Sequence, residues 1–338
     1  MGQENLPAYI QYLLEASSYS HQADEIQLLQ THISFVVLAG LYAYKWKKPV
    51  NMGFLDFSTL GKRKYFCNQE IILNRRLCPE VYLDVVRITR QGDSFCLNGH
   101  GEIVEYGVLM TRLPEDRMMG RIMERRLLAR SDIERIVAKL VPFYERADKS
   151  EEVNSYGSAT VVAENILENL RQIEPFIDYD SLGRRQFERI RDFMTNFLGH
   201  EELFVLRQEE GRICDCHGDL HSGNICLVDE VCIFDCIEFS DRLRYGDVAA
   251  DVAFLAMDLD LHGFEELSGY FIERFIDCSE DPMLLSILDF YKCYRACVRG
   301  KINLLTAITP TLATGVALQY RAQAKRCFAL AQSYIPIS

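Results

Sequence analysis

His217-Gly218-Asp219-Leu220-His221-Ser222-Gly223-Asn224, with Asp235 closing an apolar run eleven residues later, decides how this chain is read. An Asp, an Asn five positions on and a second Asp beyond a short hairpin have the spacing that phosphoryl transfer from ATP requires. One carboxylate accepts the acceptor hydroxyl's proton, an amide oxygen holds a metal ion, and the second carboxylate holds metal that bridges the phosphates. The flanks suit that geometry. Arg212-Ile213-Cys214-Asp215-Cys216 reads as a strand running into a loop, and Ile225-Cys226-Leu227-Val228 as the first arm of a hairpin. Asp229-Glu230 is its turn and Val231-Cys232-Ile233-Phe234 the return arm, which puts Asp235 beside Asn224.

This stretch resembles the Brenner loop of the aminoglycoside phosphotransferase-like kinases, a branch of the protein-kinase-like fold that also holds choline and fructosamine kinases. His-Gly-Asp, where protein kinases usually have His-Arg-Asp, points to that small-molecule branch. The resemblance extends over residues 26–113 and 211–259 and is weaker elsewhere. Tyr42-Ala43-Tyr44-Lys45 aligns with the Val-Ala-Ile-Lys of kinases, and strand alternation places Ala43 and Lys45 on one face. The resemblance implies that Ala43 makes room for adenine and that Lys45 reaches the α/β-phosphates. Lys47 shares that face and stands as the rival, and a basic strand edge is the plainer alternative for both. Glu70, within Cys67–Leu73, is the partner expected to orient Lys45, unless it lies on a solvated helix face.

No Gly-x-Gly-x-x-Gly is present, so Thr31 to Ser34 is expected to cover the phosphates with hydroxyls and backbone N–H groups. Met110-Thr111-Arg112-Leu113 is expected to offer backbone groups to the adenine edge, with Met110 and Arg112 among the contacts. Asp247–Ala253 resembles the paired-Asp stretch that follows the metal Asp, and Asp251 matches the carboxylate that braces the catalytic loop. Glu238 either approaches the acceptor or a metal-bound water, or is a surface turn residue. His217 is read as orienting the loop backbone, and His221 has no assigned role. Arg295 and Arg299, four apart on a helix, either bind an anionic acceptor or pair with acidic neighbours.

Bulk properties narrow the class. The 338 residues are 49% hydrophobic and 25% charged, ordinary for a globular protein. No run of about 18 apolar residues occurs and Met1–Leu6 carries no basic leader, so a cytoplasmic chain with no membrane partner is expected. Forty-nine acidic against 37 basic residues leave a net charge of −12, which argues against a nucleic-acid partner. Of the twelve cysteines, Cys214, Cys216, Cys226, Cys232 and Cys236 form no C-x-x-C pair and alternate with apolar residues. They read as reduced core thiols.

Along the chain, residues 1 to about 25 suggest a short amphipathic helix and a polar link. Strands are expected at 26–30, 35–38, 41–47, 82–88 and 94–110, with Asn98-Gly99-His100-Gly101 as turn material and a helix capped by Ser58 between the third and fourth. After Pro114 the pattern is helical, opened by a capping box at Ser131-Asp132-Ile133-Glu134 and broken only by the hairpin. The expected architecture is α+β and bilobal: a nucleotide-binding lobe over 1–113 with a small antiparallel sheet and one helix, and a helical lobe over 114–338 with an insert at about 150–205. The leading function is an ATP- and Mg²⁺-dependent kinase acting on a small-molecule hydroxyl. Asp219 is its base, Asn224 and Asp235 its metal ligands, and Lys45 and Glu70 the phosphate-holding pair. A Ser/Thr protein kinase is the alternative, opposed by the His-Gly-Asp loop and by only eleven residues between Asp235 and Asp247. An inert nucleotide-binding regulatory module is opposed by a competent residue at each position. Acidic residues of the insert (Glu164, Glu168, Glu174, Asp178, Asp180) either line a site for a cationic amino sugar or form a solvated face. Oligomeric state is not read from the sequence.

Overall fold

The first strands form where β-branched and aromatic residues alternate. The computed structural model describes residues 6–178, 181–309 and 312–336. After helix α1 (Ala8–Leu13) come β1 (Ile26–Gln30), β2 (Ser34–Ala39) and β3 (Tyr42–Lys47). Helix α2 (Leu60–Asn74) precedes β4 (Tyr82–Gln91), β5 (Ser94–Leu97) and β6 (Glu102–Thr111). All six strands pair antiparallel in the order β1-β2-β3-β6-β4-β5. Helices α3 (Met119–Glu124), α4 (Arg130–Arg146), α5 (Glu151–Ser155), α6 (Ala159–Ile173), α7 (Arg184–Phe197) and α8 (Glu201–Glu209) follow. Then come β7 (Ile213–Asp215) and the hairpin β8 (Ile225–Cys226) and β9 (Cys232–Ile233). The chain ends with α9 (Asp241–Arg244), β10 (Tyr245–Asp247), α10 (Val248–Leu261), α11 (Glu265–Ser279), α12 (Leu284–Ala307) and α13 (Thr314–Ser333). Among the described residues no helix is long and apolar enough to cross a membrane.

These elements fall into two compact units, and the division is not one cut. One unit runs through Gly2–Arg121 and regains Asn224–Asp241; the other takes Ile122–Gly223 and Arg242–Ser338. This differs from the single boundary expected at residue 113. The hairpin joins the sheet unit because Cys226 and Cys232 share a core with Cys67, Ile71, Tyr82 and Val108. A second sheet-unit core sets Ile10 and Leu13 of α1 against Val37, Trp46 and Ile88. In the helical unit α12 packs on α10 and α13, and α11 on α4.

Several local expectations are corrected. Thr59, not Ser58, caps α2: its side chain accepts from the Lys62 N–H at 3.2 Å, while Ser58 bonds Asp56. The box read at Ser131 is half a box. Asp132 accepts from the Ala129 N–H at 3.1 Å, and alanine has no side-chain oxygen to reciprocate. The span 94–110 divides into β5 and β6 at the Asn98–Gly101 turn. A short antiparallel pair, β7 with β10, joins the hairpin as strand structure among the helices. Cys78 and Cys232 form a disulfide, their Cα atoms 5.1 Å apart, so the all-reduced reading fails at this pair. Their 154-residue separation left no local sign of it. Asp180 and the residues preceding Leu6 lie outside the described residues.

Candidate active site

In the sheet unit the strand period does the first work. Ala43, Lys45 and Lys47 share one face of β3, while Tyr44 and Trp46 turn to the opposite core. Glu70, fully buried on α2, lies between the two lysines. Its Oε1 is 2.8 Å from the Lys45 amine and its Oε2 is 2.6 Å from that of Lys47. Burial alone would raise its pKa, but Lys45 and Lys47 hold the carboxyl well below the usual Glu range. Both lysines bind the same carboxylate.

Lys45 also donates to Asp235 Oδ1 at 2.5 Å. Asp235 follows the hairpin directly. Ile225 pairs with Ile233, and the Phe234 N–H reaches the Asn224 carbonyl at 3.0 Å. Asn224 and Asp235 therefore stand at the open end of the hairpin, as its length implied. Asp235 takes a left-handed backbone (φ +63°), which Asp tolerates better than most residues, and its N–H donates to the Tyr82 hydroxyl at 3.1 Å. Asn74 ties the next residue to α2: its Oδ1 accepts from the Cys236 N–H and its Nδ2 donates to the Glu70 carbonyl, both at 2.8 Å. Sequence reasoning missed Tyr82 and Asn74, because a supporting hydroxyl and amide carry no spacing of their own.

Glu238 is not the surface turn residue that one reading made it: it is buried and ion-paired with Lys47. Ala43 sits opposite Met110 across β3 and β6. The N–H groups of Thr111 and Arg112 are already used, donating to Val81 and Leu41 at 2.9 Å, because strand pairing extends past Met110. Ser34 opens β2 opposite Lys47 and is buried, with its hydroxyl unbonded. Thr31 Oγ1 accepts from the Ile33 and Ser34 N–H groups at 3.3 and 2.9 Å, so the loop expected to offer them is closed on itself.

In the helical unit Asp251 of α10 accepts from the N–H groups of His217 (2.7 Å) and Gly218 (3.0 Å) and from Tyr144 (3.1 Å). Gly218 needs its φ of +86°, a region costly for other residues. The Asp219 N–H donates to His217 Nδ1 at 3.2 Å, so His217 does orient the loop. His221 gains a role. Its Nδ1 accepts from the Gly223 N–H at 3.0 Å, which leaves the proton on Nε2, 3.4 Å from Asp219 Oδ2. Burial pushes the Asp219 pKa up, but His221 first, then Arg299 and His217, hold it well below the ordinary Asp range. Arg295 donates to the Gly218 and Ala250 carbonyls at 3.0 and 3.1 Å and serves the loop.

A cavity of about 60 Å³ reaches Gly218 and is lined by Arg242, Arg244, Arg295, Tyr156, Tyr245 and Tyr294 among others. The acidic insert residues do not converge on it as a cluster. Glu168 pairs with Arg242 at 2.6 Å and Asp178 with Arg184 at 3.1 Å, while Glu164 and Glu174 are exposed.

Residues 164–282 match the model of the phosphotransferase enzyme family, APH. Uncharacterized proteins of Mycobacterium tuberculosis and Mycobacterium bovis are 36% identical to this chain over 280 residues. That is 82% of this chain and 54% of theirs, so it spans about half the length of the curated relatives it matches. A choline/ethanolamine kinase family protein from Mesorhizobium loti superposes with a TM-score of 0.54 at 12% identity, covering 97% of this chain and 98% of that one. Choline kinase LicA from Streptococcus pneumoniae gives 0.50 at 14% identity, covering 96% and 99%. An amicoumacin kinase solved with AMP-PNP and Ca²⁺ gives 0.54 at 12% identity, covering 96% and 94%. At such identities the likeness is one of fold. Residues 164–282 thus resemble the phosphotransferase enzyme family, and the whole chain shares the sheet-plus-helical fold of these kinases.

Proposed function

We propose that this chain is an ATP- and Mg²⁺-dependent kinase that transfers a phosphoryl group to a hydroxyl of a small molecule. The observation that carries this reading is the ion network of Lys45, Glu70 and Asp235, with Asn224 at the same end of the hairpin. Lys45 holds the α/β-phosphates and Glu70 orients it. Asp235, its side chain 43% exposed, and Asn224 offer one carboxylate and one amide oxygen. That donor set fits Mg²⁺, which takes one or two carboxylates and completes its octahedron with phosphate oxygens and water. Asp235 and Asn224 would hold the metal, which would supply positive charge against the phosphates. Ala43 and Met110 border the adenine; with the Thr111 and Arg112 N–H groups engaged, base recognition falls to Leu113 and neighbouring carbonyls.

Asp219, kept ionised, takes the proton of the acceptor hydroxyl, and His221 fixes its orientation. The rest of catalysis is positioning and charge neutralisation. The His-Gly-Asp loop and the short link from Asp235 to α10 support a small acceptor over a protein. The test is ADP release with Mg·ATP across amino alcohols, sugars, nucleosides and aminoglycosides. Asp219→Ala is expected to lower turnover on the active acceptor by roughly 10²–10⁴-fold while Mg·ATP binding is retained. A wild-type rate in that variant would overturn the assignment of Asp219.

A further inference from the structure

Glu70 has two cationic partners, and only one of them belongs to the nucleotide machinery proposed above. Lys45 is partly exposed and contacts Asp235; Lys47 is 1% exposed. Lys47 binds Glu70 Oε2 at 2.6 Å and also Glu238, three residues after Asp235. An aromatic wall closes this second pair off from water. The Lys47 amine lies 4.8 Å from the centre of the Phe57 ring. Phe57 meets Phe239, next to Glu238, edge-on at 6.4 Å, and Phe54 meets Phe239 at 6.0 Å. The segment between Asp235 and Phe239 is thus pinned at both ends, by Asn74 and Tyr82 near its start and by Lys47 and Phe57 near its finish.

We propose that Lys47 and Glu238 are positioning residues, a buried ion pair that holds Glu70 and the Asp235 carboxylate in place when Lys45 turns to the nucleotide. The inference rests on the kinase reading of the same site. Once Lys45 engages phosphate oxygens and Asp235 a metal, the Lys45–Asp235 contact no longer fixes either group. Glu70 then keeps one partner that no ligand can reach. Asp235 sits in a left-handed conformation that persists only where its surroundings over-determine it, and Glu238 supplies one such constraint three residues on. Removing Glu238 leaves Lys47 paired with Glu70, whereas removing Lys47 alone would take the ion-pair partner from a buried Glu238, so the lysine is replaced only together with the glutamate.

The test measures how much Mg²⁺ is needed for half-maximal stabilisation by AMP-PNP, using Glu238→Ala and the double variant Lys47→Met with Glu238→Met. Both are expected to raise that Mg²⁺ midpoint about tenfold, equivalent to about 1.4 kcal/mol. Stabilisation by AMP-PNP without metal should change little. Glu238→Gln, which keeps an acceptor for Lys47, should restore most of the response. A purely structural pair would lower the melting temperature and leave the midpoint where it was. That result in either folded variant overturns the proposal, and if the double variant does not fold, Glu238→Ala decides. A wild-type chain indifferent to Mg·AMP-PNP overturns the kinase reading together with it, whereas a responsive wild type with unmoved variants overturns the positioning role alone.

Discussion

Glu70 shows how a single residue's charge is bound to its surroundings. It has no access to water, and two ammonium groups stand against its two oxygens. Removing its charge takes from each ammonium one of its two carboxylates, leaving Asp235 to Lys45 and Glu238 to Lys47, so Glu70→Gln is expected to cost roughly 1–3 kcal/mol at neutral pH. The pH dependence follows from the direction of the shift. The folded pKa lies below the free value of 4.5, so the native state binds fewer protons than the unfolded chain. The contribution is complete above that value and fades as pH falls through it. Denaturant melts at pH 7 and about pH 3.5 should show the gap between wild type and variant narrowing in acid. A gap of constant size would contradict the charge argument. The lysine and the glutamate were legible as candidates from alternation and helix context; that Lys47 shares the carboxylate was not, because it depends on how α2 lies over β3.

Between elements, the contact of α12 with α13 turns on Gly300. A Cβ there would come within 2.8 Å of the ring of Phe328, which is fully buried. Two effects oppose each other in Gly300→Ala. Helix propensity favours alanine by about 1 kcal/mol, while overpacking a well-filled core costs about 1–3 kcal/mol. The clash involves an aromatic ring with no room to retreat, so a net destabilisation is expected in urea unfolding. A stabilised variant would show that α13 yields easily. The helix boundaries themselves were mostly legible from the apolar period. Caps were less so: Thr59 and Ser58 are equally good residues by type, and only the path of the chain from Asp56 selects between them.

At the scale of the whole molecule, the Cys78–Cys232 disulfide closes a loop of 154 residues and joins the end of α2 to the hairpin strand that leads into Asp235. Thiol titration of the denatured, unreduced chain should count ten cysteines, rising to twelve after reduction. A count of twelve without reductant would remove the bond. On the entropic account a loop of this length contributes about 4–5 kcal/mol, so reductant should lower the melting temperature markedly. Residues 224–241 return to the sheet unit for the same packing reasons, since apolar side chains of the hairpin complete a core that α2 and the sheet leave open.

The sequence by itself determined the class of fold and named the candidate residues: an Asp, an Asn and an Asp at the spacing of a hairpin, a lysine in alternation with a small residue, and helical periods after Pro114. These are local patterns, and local periodicity survives in a linear string. Only the tertiary structure decided which groups meet. It gave Glu238 a lysine in place of solvent, His221 a tautomer and an aspartate, Asp251 a pair of backbone N–H groups, and Cys78 a partner 154 residues away. Apart from those of His221, whose partners lie two residues to either side, these pairings join segments far apart in the chain. Burial then makes each one costly to leave unmade, and no spacing rule records it.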